Sequence, residues 1–143
     1  MNLYRIGRWF YDRKIPIVPK IIYALQYLFF NCHVPISAKI GKGTALGYGG
    51  IGVVIHDRAV IGEHCVIGTN VTVGGTSKIY GVPKIGNYVQ LSTGSKILGD
   101  ITIGDHVVVG ANAVVIKDVP SNCVVAGVPA KIIKEGILLS DYR

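Results

Sequence analysis

Ile55-His56-Asp57-Arg58-Ala59-Val60-Ile61-Gly62-Glu63-His64-Cys65-Val66-Ile67-Gly68 is the stretch that decides the fold. Its aliphatic residues Ile55, Ile61 and Ile67 stand six apart, and the same step continues through Val73, Ile79, Ile85, Leu91, Ile97, Ile103, Val109 and Val115. A helix repeats at 3.6 residues and a strand at two, so a step of six marks a repeat architecture. Glycine often follows the aliphatic residue, as at Gly62, Gly68, Gly74, Gly86, Gly104 and Gly110. Four places after the aliphatic stands a small or β-branched residue: Ala59, Cys65, Val71, Val89, Ser95, Ile101, Val107, Ala113 or Val119. One large and one small inward side chain per hexad, with a glycine corner, describes a short strand followed by a bend. Three such hexads close a triangle. The expected fold is an all-β solenoid, a parallel β-helix of hexapeptide repeats with about 18 residues per coil and about five coils.

Outward from that stretch, the hexads begin near Val34 and end near Val119-Pro120, and Val128-Pro129-Ala130-Lys131 leaves the solenoid. This divides one domain into an N-terminal helical segment (1–33), the β-helix (34–131) and a capping tail (132–143). In the first segment Tyr4, Arg5, Arg8, Trp9, Phe10, Tyr11, Arg13 and Lys14 make a basic aromatic stretch. Pro16 and Pro19 break it, and Ile21, Ile22, Leu25, Leu28 and Phe29 follow at helical spacing. These helices either pack on the first coils or on a neighbouring subunit, or they form an interfacial membrane anchor; the two readings are compatible. In the tail, Ile132, Ile133, Ile137, Leu138 and Leu139 are too apolar to hang in water and are expected to cover the open end of the core.

Half of the 143 residues are apolar and the formal charge is +7. That charge favours an anionic partner such as a phosphorylated cofactor, an acidic glycan or an anionic lipid surface. The coils lack a basic run interleaved with stacking aromatics, which argues against nucleic acid. Cys32, Cys65 and Cys123 are far apart, with no metal or disulfide spacing, and read as buried thiols of a reducing compartment. No signal peptide is evident, and the apolar stretch Ile21–Phe30 is interrupted by Gln26 and too short to span a bilayer. A cytoplasmic protein is expected, with a peripheral site at the inner membrane face as the variant.

Two places break the repeat. Between Leu46 and Ile55 the step is nine, within Leu46-Gly47-Tyr48-Gly49-Gly50-Ile51-Gly52. Across Gly75–Lys84 the phase survives, but Tyr80 replaces the corner glycine and Pro83 an inward small residue, so this stretch reads as a loop thrust out of the coil. His64 and His106 fall on outward corners in Ile-Gly-Glu-His and Ile-Gly-Asp-His, where a solvated polar residue suffices. His33, at the entry to the first coil, is expected to bond to nearby backbone.

His56 differs. It takes a corner place usually held by glycine, directly after the nine-residue break, and one coil later comes Gly74, then Gly75. A histidine beside a bare glycine corner leaves room for a ligand and exposes backbone N–H groups, so His56 is the candidate general base. Asp57 follows directly, but strand neighbours face opposite sides, so the group that orients His56 stays unassigned at this level.

The stretch Val34–Lys134 resembles the hexapeptide-repeat acyltransferases, in their serine O-acetyltransferase and surface-polysaccharide sugar O-acetyltransferase branches. The segments that carry the likeness are Ala38 to Gly43, Gly52 to Ile55 with Ala59 to Gly62, Val71 to Lys78, Pro83 to Gly86, and Val119-Pro120 with Ala126 to Lys131. The resemblance implies a left-handed β-helix and a homotrimer with active sites between subunits. It also implies acetyl-CoA as co-substrate with no metal, and direct attack of an acceptor hydroxyl on the thioester with histidine as base. On the matching positions it implies CoA contacts from Gly74, Gly75, Thr76, Lys78, Lys117, Ala126 and Lys131, with the Gly74 and Gly75 amides as oxyanion donors.

The departures bear on the acceptor. The Asp-His pair of the serine enzymes falls on Tyr48-Gly49, and their Asp-Arg-His-Pro-Lys-Ile loop reads Tyr80-Gly81-Val82-Pro83-Lys84-Ile85. The expected acceptor is therefore a sugar hydroxyl on a small, nucleotide-linked or lipid-linked glycan precursor, with free serine as the alternative. A zinc enzyme of the γ-carbonic anhydrase kind and a non-catalytic scaffold share the solenoid. The first needs three converging histidines, and His56 and His64 lie on different sides of a coil.

Overall fold

A computed structural model describes residues 1–142. Helices α1 (Asn2–Asp12) and α2 (Ile17–Phe30) precede four regular coils of three short strands each. The first coil holds β1 (Lys39–Ile40), β2 (Ala45–Leu46) and β3 (Val54–Ile55); the second, β4 (Val60–Ile61), β5 (Val66–Ile67) and β6 (Thr72–Gly74). The third holds β7 (Lys84–Ile85), β8 (Gln90–Leu91) and β9 (Lys96–Leu98); the fourth, β10 (Thr102–Ile103), β11 (Val108–Val109) and β12 (Val114–Val115). Every third strand stacks in parallel, giving faces β1-β4-β7-β10, β2-β5-β8-β11 and β3-β6-β9-β12. A compressed fifth coil runs through Val119, bridged to Ile103, and β13 (Cys123–Ala126) beside β11; Gly127 and Ala130 then bond to Val114. The molecule is the parallel β-helix that the hexads predict, left-handed as the resemblance implies.

The physical reason is visible in burial. Along the row of sixes, Ile55, Ile61, Ile67, Val73, Ile85, Leu91, Ile97, Ile103, Val109 and Val115 are all buried, and so are the nine small residues of the second row. Alternate residues of each strand face out. Ile79 is the exception: it is 53 % exposed. Ladder register explains it, because Val60 pairs with Lys84 and Thr72 with Lys96, 24 residues on, whereas Lys84 pairs with Thr102, 18 residues on. The extruded loop adds one hexad's worth of residues, so the six-residue phase passes through it without Ile79 entering the core.

The corner glycines have a role other than bending. A Cβ on Gly62 would lie 2.5 Å from the Gly86 carbonyl oxygen in the next coil. The left-handed conformation sits two residues later, at His64, Tyr88 and His106, whose φ angles are 54°, 56° and 56°. Glycine is thus required at this corner by the closeness of the stacked coils, and the turn itself is taken by polar and aromatic residues. His64 and His106 stack on either face of Tyr88, each with ring centroids 5.1 Å apart.

The two helices cover the N-terminal end of the prism. Tyr4, Gly7, Pro19, Ile22 and Gln26 are their buried positions, and a Cβ on Gly7 would meet Ile36 and Ile22. The Tyr4 hydroxyl donates to the Ala38 carbonyl at 2.6 Å and accepts from the Ile40 amide at 3.2 Å. Burial raises its pKa above the usual phenol value, so it stays a donor. Tyr4→Phe should therefore cost about 1–3 kcal/mol, by taking the acceptor from the buried Ile40 amide and leaving the Ala38 carbonyl with Arg8 as its side-chain donor; urea denaturation read by circular dichroism checks this. Neither helix is long and apolar enough to cross a membrane, nor is any other among the described residues.

At the other end, β14 (Lys131–Glu135) turns back antiparallel to β13. Ile137 is buried near Val108 and Val124, whereas Ile132, Ile133 and Leu138 are 42 %, 66 % and 69 % exposed. The tail therefore extends one face of the prism, and most of its apolar side chains stay outside the core; the Leu139 side chain lies outside the described residues. The three cysteines are buried, and burial raises the thiol pKa of Cys32 and Cys123.

Candidate functional site

A cavity of about 1150 Å³ lies where the α1–α2 turn leans over the third face of the prism. Its floor is Val54, Ile55, His56, Val73 and Gly74; its helical wall includes Tyr11, Ile15, Pro16, Pro19 and Tyr23. The walls are largely apolar, and His33, His56 and Asp57 supply its polar floor.

His56 stands where β3 ends. Val54 and Ile55 pair with Thr72 and Val73, and the His56 amide donates to the Val73 carbonyl at 2.8 Å, which sets the residue beside Gly74 in the next coil. A Cβ on Gly75 would lie 3.8 Å from His56 Cδ2, so the glycine pair borders the ring directly. The corner turns here, with the Ala59 amide bonded to the His56 carbonyl. That turn overrides strand alternation: Asp57 swings to the same side, and its Oδ1 lies 2.6 Å from His56 Nδ1. Asp57 is the orienting group that alternation had excluded. A carboxylate oxygen at that distance needs a hydrogen between, so Nδ1 carries the proton. The Arg58 amide, 3.2 Å from the same nitrogen, is the weaker neighbour. Nε2 is then the ring nitrogen with a lone pair. The His56 side chain is 31 % exposed, within reach of a solute.

The extruded loop is tied to this corner. Arg58 donates to the Tyr80 carbonyl and lays its guanidinium 3.8 Å from the Tyr80 ring centroid, while Val82 and Pro83 are buried beneath. The nine-residue break is a tight turn at Gly47–Gly50, with positive φ at Tyr48, Gly49 and Gly50 and with Tyr48 87 % exposed.

Of the residues that sequence selected, the structure brings together His56, Gly74 and Gly75. Thr76 and Lys78 lie out on the loop, with Thr76 near Gly99. Lys117 follows β12 at the same corner, two rungs beyond Gly75 or about 10 Å along the axis. Ala126 and Lys131 belong to the closing coil and are not at the His56 corner. His64 and His106 occupy another corner, in the ring stack with Tyr88. His33 bonds to a side chain as well as to backbone: its Nδ1 is 2.5 Å from the Tyr23 hydroxyl, and its amide donates to the Val53 carbonyl. Sequence reasoning missed that pair and Asp57; the structure bridges His33 to Val54, two residues before His56, which sets it near the cavity floor.

The model of the bacterial transferase hexapeptide (six repeats) family matches residues 83–117. A serine acetyltransferase of Synechococcus elongatus is 38 % identical over 132 residues, which are 91 % of this chain and 54 % of that protein. One from Staphylococcus aureus is 37 % identical over 91 % of this chain and 62 % of its own length. Among solved structures, Neisseria gonorrhoeae serine acetyltransferase superposes with TM-score 0.86 at 32 % identity, covering 95 % of this chain and 54 % of that one. A Brucella abortus serine acetyltransferase in complex with coenzyme A gives TM-score 0.84 at 36 % identity, covering 94 % and 54 %. The chain spans little more than half the length of these relatives. With its hexads, its prism and these likenesses, the chain carries the hexapeptide repeat of that family over residues 83–117 and is similar to the serine acetyltransferases.

Proposed function

We propose that this protein is an acetyl-CoA-dependent O-acetyltransferase with His56 as its general base. The observation that carries the reading is the His56–Asp57 pair on the floor of the cavity, next to Gly74 and Gly75. An alcohol is a weak nucleophile near neutral pH, and imidazole titrates close enough to that pH to take its proton as the new C–O bond forms. The hydroxyl oxygen attacks the thioester carbonyl carbon while its proton passes to Nε2. The oxyanion forms against the amides of Gly74 and Gly75, then collapses with cleavage of the C–S bond, and Nε2 returns the proton to the departing sulfur. Asp57 keeps Nδ1 protonated and steadies the imidazolium. The coenzyme A complex of a similar protein supports the co-substrate. The loop carrying Thr76 and Lys78, with Lys117, Ala126 and Lys131 beyond it, is the proposed path of the nucleotide end.

The proposed assembly is a homotrimer with its active sites between subunits, working in the cytoplasm where acetyl-CoA is made. Outward valines support such an assembly: Val54, Val60 and Val66, one on each face, are 44 %, 38 % and 36 % exposed.

Free serine is the acceptor that the names of the similar proteins favour, ahead of the sugar expected from sequence. A sugar hydroxyl remains as the second reading, because Tyr80-Gly81-Val82 of the loop and the vacated Tyr48-Gly49 position offer no charged groups for an amino acid and the cavity is wide and mostly apolar. CoA release from acetyl-CoA, followed with a thiol reagent, separates them. Serine turnover with kcat/KM about 10²-fold or more above that of nucleotide-linked sugars assigns serine, and the reverse ratio assigns the sugar. No release with either class would refute acetyl transfer to these acceptors.

A further inference from the structure

We propose that the outer face of the α1–α2 cap docks on an anionic lipid surface. The proposal stands apart from the acetyl-transfer reading, since it concerns the side of the helices turned away from the coils and uses neither His56 nor the glycine pair. Once Tyr4, Gly7, Ile22 and Gln26 fix the inward sides of the two helices, helical geometry places Ile6 and Trp9 on the opposite side of α1. Ile17, Ile21 and Leu28 fall on the opposite side of α2, and Leu25 on its flank. Their exposures are 50 % for Ile6 and Trp9, then 66 %, 54 %, 37 % and 70 % along α2. Five large apolar side chains on the outward sides of two helices in contact, with Leu25 beside them, are more than a soluble surface ordinarily shows, and they mark an interaction face.

Charge selects the occupant. Residues 1–33 hold five cations and one acid. Arg5 donates to the Gly41 carbonyl, and Arg8 reaches the carbonyls of Ser37 and Ala38 and pairs with Asp12 at 2.9 Å. The sole carboxylate is therefore engaged, and Arg13, Lys14 and Lys20 stand exposed around the helical turn, with Lys14 and Lys20 at the mouth of the cavity. The Arg13 guanidinium lies over the Trp9 ring, 3.6 Å from its centroid. A second copy seated on this face would oppose these cations to the same three cations with no acid to neutralise them. Anionic headgroups complement them, and a tryptophan paired with arginine beside an aliphatic stripe suits the interfacial zone. The helices are 11 and 14 residues long, so the cap lies on the surface and does not cross it.

The test uses the full chain with vesicles of phosphatidylcholine, with or without about three parts in ten phosphatidylglycerol. Trp9 is the only tryptophan, so its emission reports the face without any substitution. Expected are a blue shift with the anionic vesicles, co-flotation about tenfold stronger than with phosphatidylcholine alone, and weakening as salt is raised. The variant Ile21→Glu/Leu28→Glu, at exposed positions, should keep its melting temperature and lose flotation about tenfold or more. An unchanged Trp9 spectrum with anionic vesicles overturns the proposal, as does equal flotation with both lipids. A variant whose mass in sedimentation falls relative to wild type without vesicles assigns the face to a second copy and also overturns it.

Discussion

His56→Ala should lower kcat for acetyl transfer by about 10²–10⁴-fold, the range that a positioned general base supplies. The melting temperature should move little, because the ring is 31 % exposed and the backbone bonds that hold the corner, to Val73 and from Ala59, do not involve it. The expected signature is a fall in kcat with little change in KM for acetyl-CoA, since the imidazole acts on the proton of the acceptor and not on the nucleotide. Asp57→Asn should do less, roughly tenfold to a hundredfold. The amide can still face Nδ1, but it no longer enforces a proton there and does not stabilise the imidazolium. Stopped-time assays of CoA release on both variants check this pair. A folded His56→Ala protein of near wild-type rate would remove the base from the mechanism.

The second large effect is on stability. Ile97→Ala should cost about 2–5 kcal/mol, because Ile97 is fully buried between coils whose spacing is fixed by their own ladders and cannot collapse into the space. Ile79→Ala, at the same place in the hexad row, should stay within about 0.5 kcal/mol, since Ile79 stands in solvent on the loop. Urea unfolding of the two variants side by side distinguishes a row that is inward throughout from one interrupted at a single rung.

This contrast shows how far the fold could be read in advance. The hexads were legible because every rung must send one aliphatic side chain inward, and ten of the eleven in the row do so. Ile79 was not, because a six-residue insertion keeps the phase of a six-residue repeat. At the site, His56 beside Gly74 and Gly75 followed from the coil length alone. Asp57 did not, because strand alternation was carried one residue past the point where β3 ends. The His33–Tyr23 bond and the cavity depend on how α2 lies across the first coils, a placement that helical spacing within 1–33 does not contain. The glycine column was read as bending when its cause is proximity, a property of two coils rather than of one corner.

That column has a bearing on how such a chain can change in size. Gly62 faces the Gly86 backbone with Asn87 Oδ1 beside it, and Gly86 in turn faces the Gly104 backbone with Asp105 Oδ1 beside it. Excising residues 84–101 would set Gly62 against Gly104 with the same strand partners meeting in the same alignment. The imidazole, its carboxylate and the helical roof all precede the cut. The prism can thus be shortened by a storey while the chemistry on the upper floors is left alone, so height and catalysis are separable traits in this architecture.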